Sequence, residues 1–291
     1  MTARAQRIAR VVGAAVVVWV ASAAAMPAAA QAEERPPPRE LRHDLVLDLT
    51  VTGFAAGYWV TTELLKGALA PQRCRWCAPP GVDAAVRDAL RWDATGAADA
   101  LSWVTALGLA PVALSTLDVL AAHRAGDTGA AWPDLLVIAE AAALAMAVNQ
   151  TLKFLVGRER PFVHALPDAE KAATAQPSDN NLSFFSGHTT FPFALAVAAG
   201  TVAQLRGYDL APVIWATGLG VATMTGYLRI AADKHYLTDV LAGAAVGAVV
   251  GFVVPWAFHR PRAQSGRGGE PLTGFAAPLT GGGIVSVGGA F

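Results

Sequence analysis

Charge is scarce in this chain. Only 15% of its 291 residues are Asp, Glu, Lys or Arg, against about 25% in soluble domains, and the shortfall points to a membrane. The 22 basic and 22 acidic residues cancel, so no basic field is available for nucleic acid. Cysteine is nearly missing: Cys74 and Cys77, in PQRCRWCAPP, are the only two. A CxxC pair is a redox motif, half a zinc site or a short disulfide. No second CxxC or suitable His pair follows, and no thioredoxin-like pattern surrounds it. In an exported chain a local disulfide is the favoured reading, pinning a loop outside the chemistry. The GxSxG pattern of a serine nucleophile is also lacking around Ser186.

What is present is mostly Ala, Val, Leu and Gly, which suits helix-on-helix packing in lipid. Residues 1–32 read as an export signal, cleaved or kept as an anchor: Arg4, Arg7 and Arg10, an apolar run, then Ala30-Gln31-Ala32. Residues 33–43 are a proline-rich linker, 44–97 a first helix and the CxxC loop, 98–260 a helical core, and 261–291 a Gly-rich tail expected to be flexible. Apolar runs predict helices over 44–69, 98–122, 132–156, 184–205, 210–230 and 238–258, with a short amphipathic helix over 82–92. The expected fold class is therefore all-α, an integral membrane helical bundle of about five to six transmembrane helices. Asp99, Asp118, Glu140, Asn149 and Gln150 should face its interior or the interface. Gly243, Gly247 and Gly251 recur every four residues as a ridge for close helix contact. The polar stretch 162–183 suggests a lid or a substrate-selecting loop, with a plain connector as the alternative, and His164 within it reads as incidental.

Three stretches concentrate the polar chemistry: KFLVGRERP, SGH and RIAADKHYLTD. Lys153 and Arg160 are seven residues apart, so a continuing helix would put them on one face, as a point charge and a bidentate fork for a phosphate. Arg158 is a spare cation. Ser186 and Gly187 open a helix, where unpaired N–H groups favour an anion, and His188 is placed to deliver a proton. His235 and Asp239 are one helical turn apart, so the carboxylate can accept the Nδ1 proton and leave Nε2 free to attack. Arg229 lies just upstream. Asp233, His235 and Asp239 make an incomplete metal set without a fourth ligand. All three stretches fall at helix ends that alternate onto one side of the bilayer. Three cations and two histidines in one pocket suit phosphoryl transfer through a histidine nucleophile.

In this combination the chain resembles the type 2 phosphatidic acid phosphatase and vanadium haloperoxidase superfamily, membrane lipid phosphatase branch. That signature is K-x6-RP, PSGH and SR-x5-H-x3-D. Here it stands as Lys153…Arg160-Pro161, Ser186-Gly187-His188 and Arg229…His235…Asp239, with Phe185 and Leu228 replacing a proline and a serine. The resemblance implies that His235 attacks phosphorus, Asp239 orients it, and His188 protonates the leaving alkoxide and then activates water. It implies that Lys153, Arg160, Arg229, Ser186 and the Gly187 N–H hold the phosphoryl oxygens. No metal or other cofactor is implied, and vanadate should act as a phosphate-mimicking inhibitor. The implied partners are the membrane and a lipid phosphate monoester or pyrophosphate; the oligomeric state is left open. An exported non-specific acid phosphatase and a lipid phosphotransferase are the alternatives. Six full spans after a cleaved signal would put the motifs inside, whereas demoting 44–69 to an interfacial helix puts them outside. The reading favours a bacterial-type envelope with the site on the periplasmic side.

Overall fold

The computed structural model describes residues 37–261 and two strands in the tail; the expected export signal, 1–32, lies outside the described residues. Six long helices form the first unit: α1 Leu45–Leu64, α3 Thr95–Arg124, α4 Ala131–Val156, α5 Gly187–Arg206, α6 Ala211–Ala231 and α7 Leu237–Phe258, with a shorter α2 Gly81–Leu90 between α1 and α3. Asp44 starts α1 by accepting from the backbone N–H groups of Val46 and Leu47. Gly157 and Gly207, at φ 60° and 82°, end α4 and α5 in the left-handed conformation that glycine adopts without steric cost. Two helices contain wider π turns, at Val104–Leu109 in α3 and Val254–Phe258 in α7. Each adjoins or includes a proline, Pro111 or Pro255, whose missing N–H cannot continue the α ladder.

Three of these helices, α3, α4 and α7, are long and apolar enough to cross a membrane. The others, α1, α5 and α6, are 20, 20 and 21 residues long. The expected 44–69 helix is divided: α1 stops at Leu64 and a separate turn spans Lys66–Leu69. One side of α1 packs on α4, and the other presents Val46, Leu47, Phe54 and Leu64 outward, as suits a lipid-facing helix.

Helix α5 runs through the centre and is buried along almost its whole length. The glycine ridge of α7 lies directly on it. A Cβ added at Gly243, Gly247 or Gly251 would come 2.7, 2.4 or 2.6 Å from the carbonyl oxygens of Ser186, Thr190 and Ala194. Backbones this close leave no room for a side chain. Gly247→Ala should therefore destabilise the bundle by about 1–3 kcal/mol, read as a lower thermal midpoint in detergent. An unchanged midpoint would show that the two helices can move apart freely.

The tail is a unit of its own. Its strands β1 Thr273–Leu279 and β2 Gly282–Gly288 pair antiparallel, Thr273 opposite Gly288 and Leu279 opposite Gly282. The first unit is the all-α helical bundle expected, and in the tail the Ile-Val-Ser-Val run carries strand propensity.

Candidate active site

Because successive helices alternate in direction, the C-terminal ends of α1, α4 and α6 and the N-terminal ends of α5 and α7 meet at one face. A cavity of about 570 Å³ opens there, lined by Lys153, Arg160, Gly187, His188, Arg229 and His235. One helix does not unite Lys153 and Arg160, as the sequence spacing suggested. Gly157 ends α4 and turns the chain back, and Arg160 is then held by its N–H bond to the Asn180 carbonyl, 2.8 Å away.

Both arginines of the cage meet a carboxylate that the motifs do not include. Arg160 donates through Nε to the Asp179 carbonyl at 2.8 Å, and the Asp179 carboxylate also meets Lys66 at 2.9 Å. Burial alone would push the Asp179 carboxyl up, but Arg160, Lys66 and Lys153 hold it well below the usual carboxylate range. Arg229 donates through one terminal nitrogen to Asp99 and to Ser102 Oγ, leaving its buried Nε without a partner. Asp179 was missed as a cavity residue, and Asp99 was expected only to face the interior or the interface, because a carboxylate that steers an arginine has no motif of its own. Thr174, Ala175, Gln176 and Asp179 bring the 162–183 loop into the cavity wall.

Helix α5 starts at Gly187, after a cis peptide bond between Phe184 and Phe185. A Cβ at Gly187 would lie 2.8 Å from Asn149 Oδ1 and 3.5 Å from Lys153 Nζ, so glycine is what lets backbone and cation share this corner. Asn149 Nδ2 donates to the Phe185 carbonyl at 2.7 Å and fixes the turn. Ser186 departs from expectation. Its side chain is fully buried, receives a hydrogen bond from Thr189 Oγ1 at 2.9 Å, and is not on the cavity wall. The His188 ring stands edge-on to Trp103 with centroids 4.3 Å apart, and its buried Nε2 has no hydrogen-bond partner.

His235 follows in the link between α6 and α7. Its Nδ1 lies 2.8 Å from the Ser183 carbonyl oxygen and 3.6 Å from Asp239, so the carbonyl is its direct partner where the carboxylate was expected. A carbonyl only accepts; Nδ1 therefore carries the proton and Nε2 keeps its lone pair. Burial, then the charges of Arg160, Arg229 and Lys153, hold the imidazole well below its ordinary pKa. Asp239 acts one step back, accepting from Ser183 Oγ at 2.6 Å and from the Tyr236 N–H at 2.9 Å. The loop bearing Ser183 and the start of α7 thereby hold one another. Asp233 faces elsewhere, clamped by Arg87 at 2.6 and 2.7 Å, so it does not join His235 and Asp239 in a metal set.

Arg158 is not part of the cation cage. It is 1% exposed and bridges Asp83 of α2 to Asp239, while donating to Thr238 Oγ1 at 2.7 Å. Trp76 covers it, with the guanidinium carbon 3.8 Å from the ring centroid. That tryptophan lies inside the Cys74–Cys77 disulfide loop, which docks on the site-bearing segment through Arg75 N–H to Gly157 O and Glu159 N–H to Trp76 O. His164 binds Glu159 at 2.9 Å.

Comparison with known proteins gives the arrangement a lineage. The family model described as the PAP2 superfamily matches residues 134–263. Human phospholipid phosphatase 2 is 29% identical over 130 residues, 38% of this chain and 45% of that protein. Lipid A 1-phosphatase of Porphyromonas gingivalis is 40% identical over 74 residues, 25% of this chain and 16% of that protein. The chain thus spans less than half the length of these curated relatives. A crystal structure of a transmembrane PAP2 type phosphatidylglycerolphosphate phosphatase from Bacillus subtilis aligns at TM-score 0.42 and 16% identity, over 71% of this chain and 93% of that one. The segment 134–263, which carries all three parts of the constellation, is thus the part of the chain that is similar to the PAP2 superfamily.

Proposed function

We propose that the protein is a membrane-bound phosphatase that hydrolyses a lipid phosphate monoester or pyrophosphate through a phosphohistidine. The observation that supports this most is His235, with Nδ1 tied to the Ser183 carbonyl and its ring on a cavity lined by Lys153, Arg160 and Arg229. Nε2 attacks phosphorus, forming an N–P bond as the P–O bond to the alcohol breaks. The three cations and the Gly187 N–H hold the phosphoryl oxygens, whose charge spreads in the transition state. His188 gives its proton to the departing alkoxide, then takes one from the water that hydrolyses the phosphohistidine. Because protein cations supply the charge, the chemistry needs no metal.

A lipid substrate is supported by the bundle and by the cavity's second character. Trp59, Trp103, Leu107, Met146 and Phe191 give the same space an apolar wall. The relatives named above are also named for lipid phosphates. The test is phosphate release from detergent-dispersed phosphatidate, phosphatidylglycerol phosphate and isoprenyl pyrophosphate. Wild type should release phosphate from at least one, vanadate should compete, and added Mg2+ should leave the rate unchanged. Equal release by wild type and His235→Ala would end this reading.

The periplasmic side is supported by the Cys74–Cys77 disulfide. Disulfides persist in oxidising compartments, and this one sits in a loop bonded to the segment that leads into Arg160. In spheroplasts, externally added protease should cut the 162–183 loop without detergent. Protection of that loop until the membrane is dissolved would place the cavity inside.

A further inference from the structure

At the far end of the bundle three ionisable side chains converge without an assigned role. Asp48 comes from α1, Glu140 from α4, and His259 from just beyond α7; they are 4%, 6% and 3% exposed. One donor atom from each lies within 4.8 Å of the other two. His259 Nε2 and Glu140 Oε2 stand 3.4 Å apart, and neither makes a hydrogen bond. Ligands about 2.1 Å from a tetrahedral ion are themselves about 3.4 Å apart.

The surrounding contacts orient these donors. His259 Nδ1 lies 2.9 Å from the Arg42 carbonyl oxygen, which can only accept, so Nδ1 is the donor there and Nε2 is turned towards the carboxylates. Arg42 is held in turn by its N–H bond to the Arg260 carbonyl, and Leu41 bridges Pro261. Asp48 Oδ2 accepts from the Asp44 N–H at 3.0 Å. One turn along α1, the buried Thr52 hydroxyl oxygen also lacks a partner.

Electrostatics favours an occupant. Two carboxylates side by side inside an apolar bundle are costly while their charge is unpaired. A divalent cation between them offsets that charge. One imidazole nitrogen with two carboxylate oxygens suits a first-row ion of borderline softness better than Ca2+ or Mg2+, which take oxygen.

We infer that Asp48, Glu140 and His259 bind one divalent transition ion, with Zn2+ as the type case, that staples α1 to α4 and to the end of α7. Glu140 is thirteen residues from Lys153 on α4, about 20 Å along the helix, so the ion stands apart from the phosphoryl chemistry. Its effect would reach the cavity through α1, which carries Trp59 and Glu63 of the wall, and along α4, which carries Lys153.

The test uses the full chain in detergent, with any affinity tag removed, stripped by chelator and then offered Zn2+ or Co2+. Wild type should retain about one ion per chain after desalting, unfold at a higher temperature with Zn2+, and give a visible d–d spectrum with Co2+. His259→Ala and the near-isosteric Glu140→Gln should weaken binding at least roughly 10–100-fold and abolish the thermal shift. If either variant fails to fold, the wild-type Co2+ spectrum and stoichiometry decide alone. Wild type that retains no ion and shows no shift overturns the site, as do variants that bind like wild type.

Discussion

Phosphate release by His235→Ala should fall by about 10⁴-fold or more, with the fold intact. His235 presents the nucleophilic nitrogen of the proposed reaction, and alanine removes it while Lys153, Arg160 and Arg229 still hold the substrate. The loss should therefore appear in kcat, with KM changed far less. Alanine also leaves the Ser183 carbonyl without its imidazole, which costs about 1–3 kcal/mol, so the thermal midpoint drops without collapse. The pH profile supplies a second reading. A base whose pKa is depressed stays unprotonated into more acid solution, so His235 should still be neutral at its ordinary value of 6.5. With substrate ionisation divided out, kcat/KM, which reports free-enzyme groups, should show no acid limb from this residue near that pH. A variant that retains wild-type turnover would sink the histidine mechanism.

Arg158→Leu should act on the fold. Arg158 is the shared partner of two fully buried carboxylates, Asp83 and Asp239. Removing one member of a buried ion network leaves uncompensated charge and costs about 3–5 kcal/mol, a drop on the order of 10 °C in thermal midpoint. The same change would free the start of α7 and, through Asp239, the Ser183 segment that holds His235. Arg160→Ala is the contrast, because Arg160 faces the cavity: it should raise KM and move the midpoint little. If the two variants behave alike, the division between a structural and a substrate-facing arginine is wrong.

Much of the helical plan was legible in the sequence because apolar run length and periodicity report helices directly. The cavity residues were legible because histidines and cations at helix ends have few structural reasons to be there. Their carboxylate partners were not. Asp179 and Asp99 lie far from Arg160 and Arg229 along the chain, and no local pattern distinguishes a carboxylate that will steer an arginine from one that faces water. Ser186 shows the opposite case: its position at the start of α5 suggested an anion contact, but its hydroxyl is engaged by Thr189.

The scarcity of charge noted at the start thus has two separate consequences. By itself the sequence determined a membrane helix bundle, a glycine seam on one helix, and a set of three cations and two histidines at helix ends, because each follows from residue type and local spacing. Only the tertiary structure decided which atom holds His235, that Arg158 braces the fold, and that Asp48, Glu140 and His259 meet. Those outcomes depend on contacts between segments remote in sequence, and hydrogen-bond reach of about 3 Å is set by how whole helices pack.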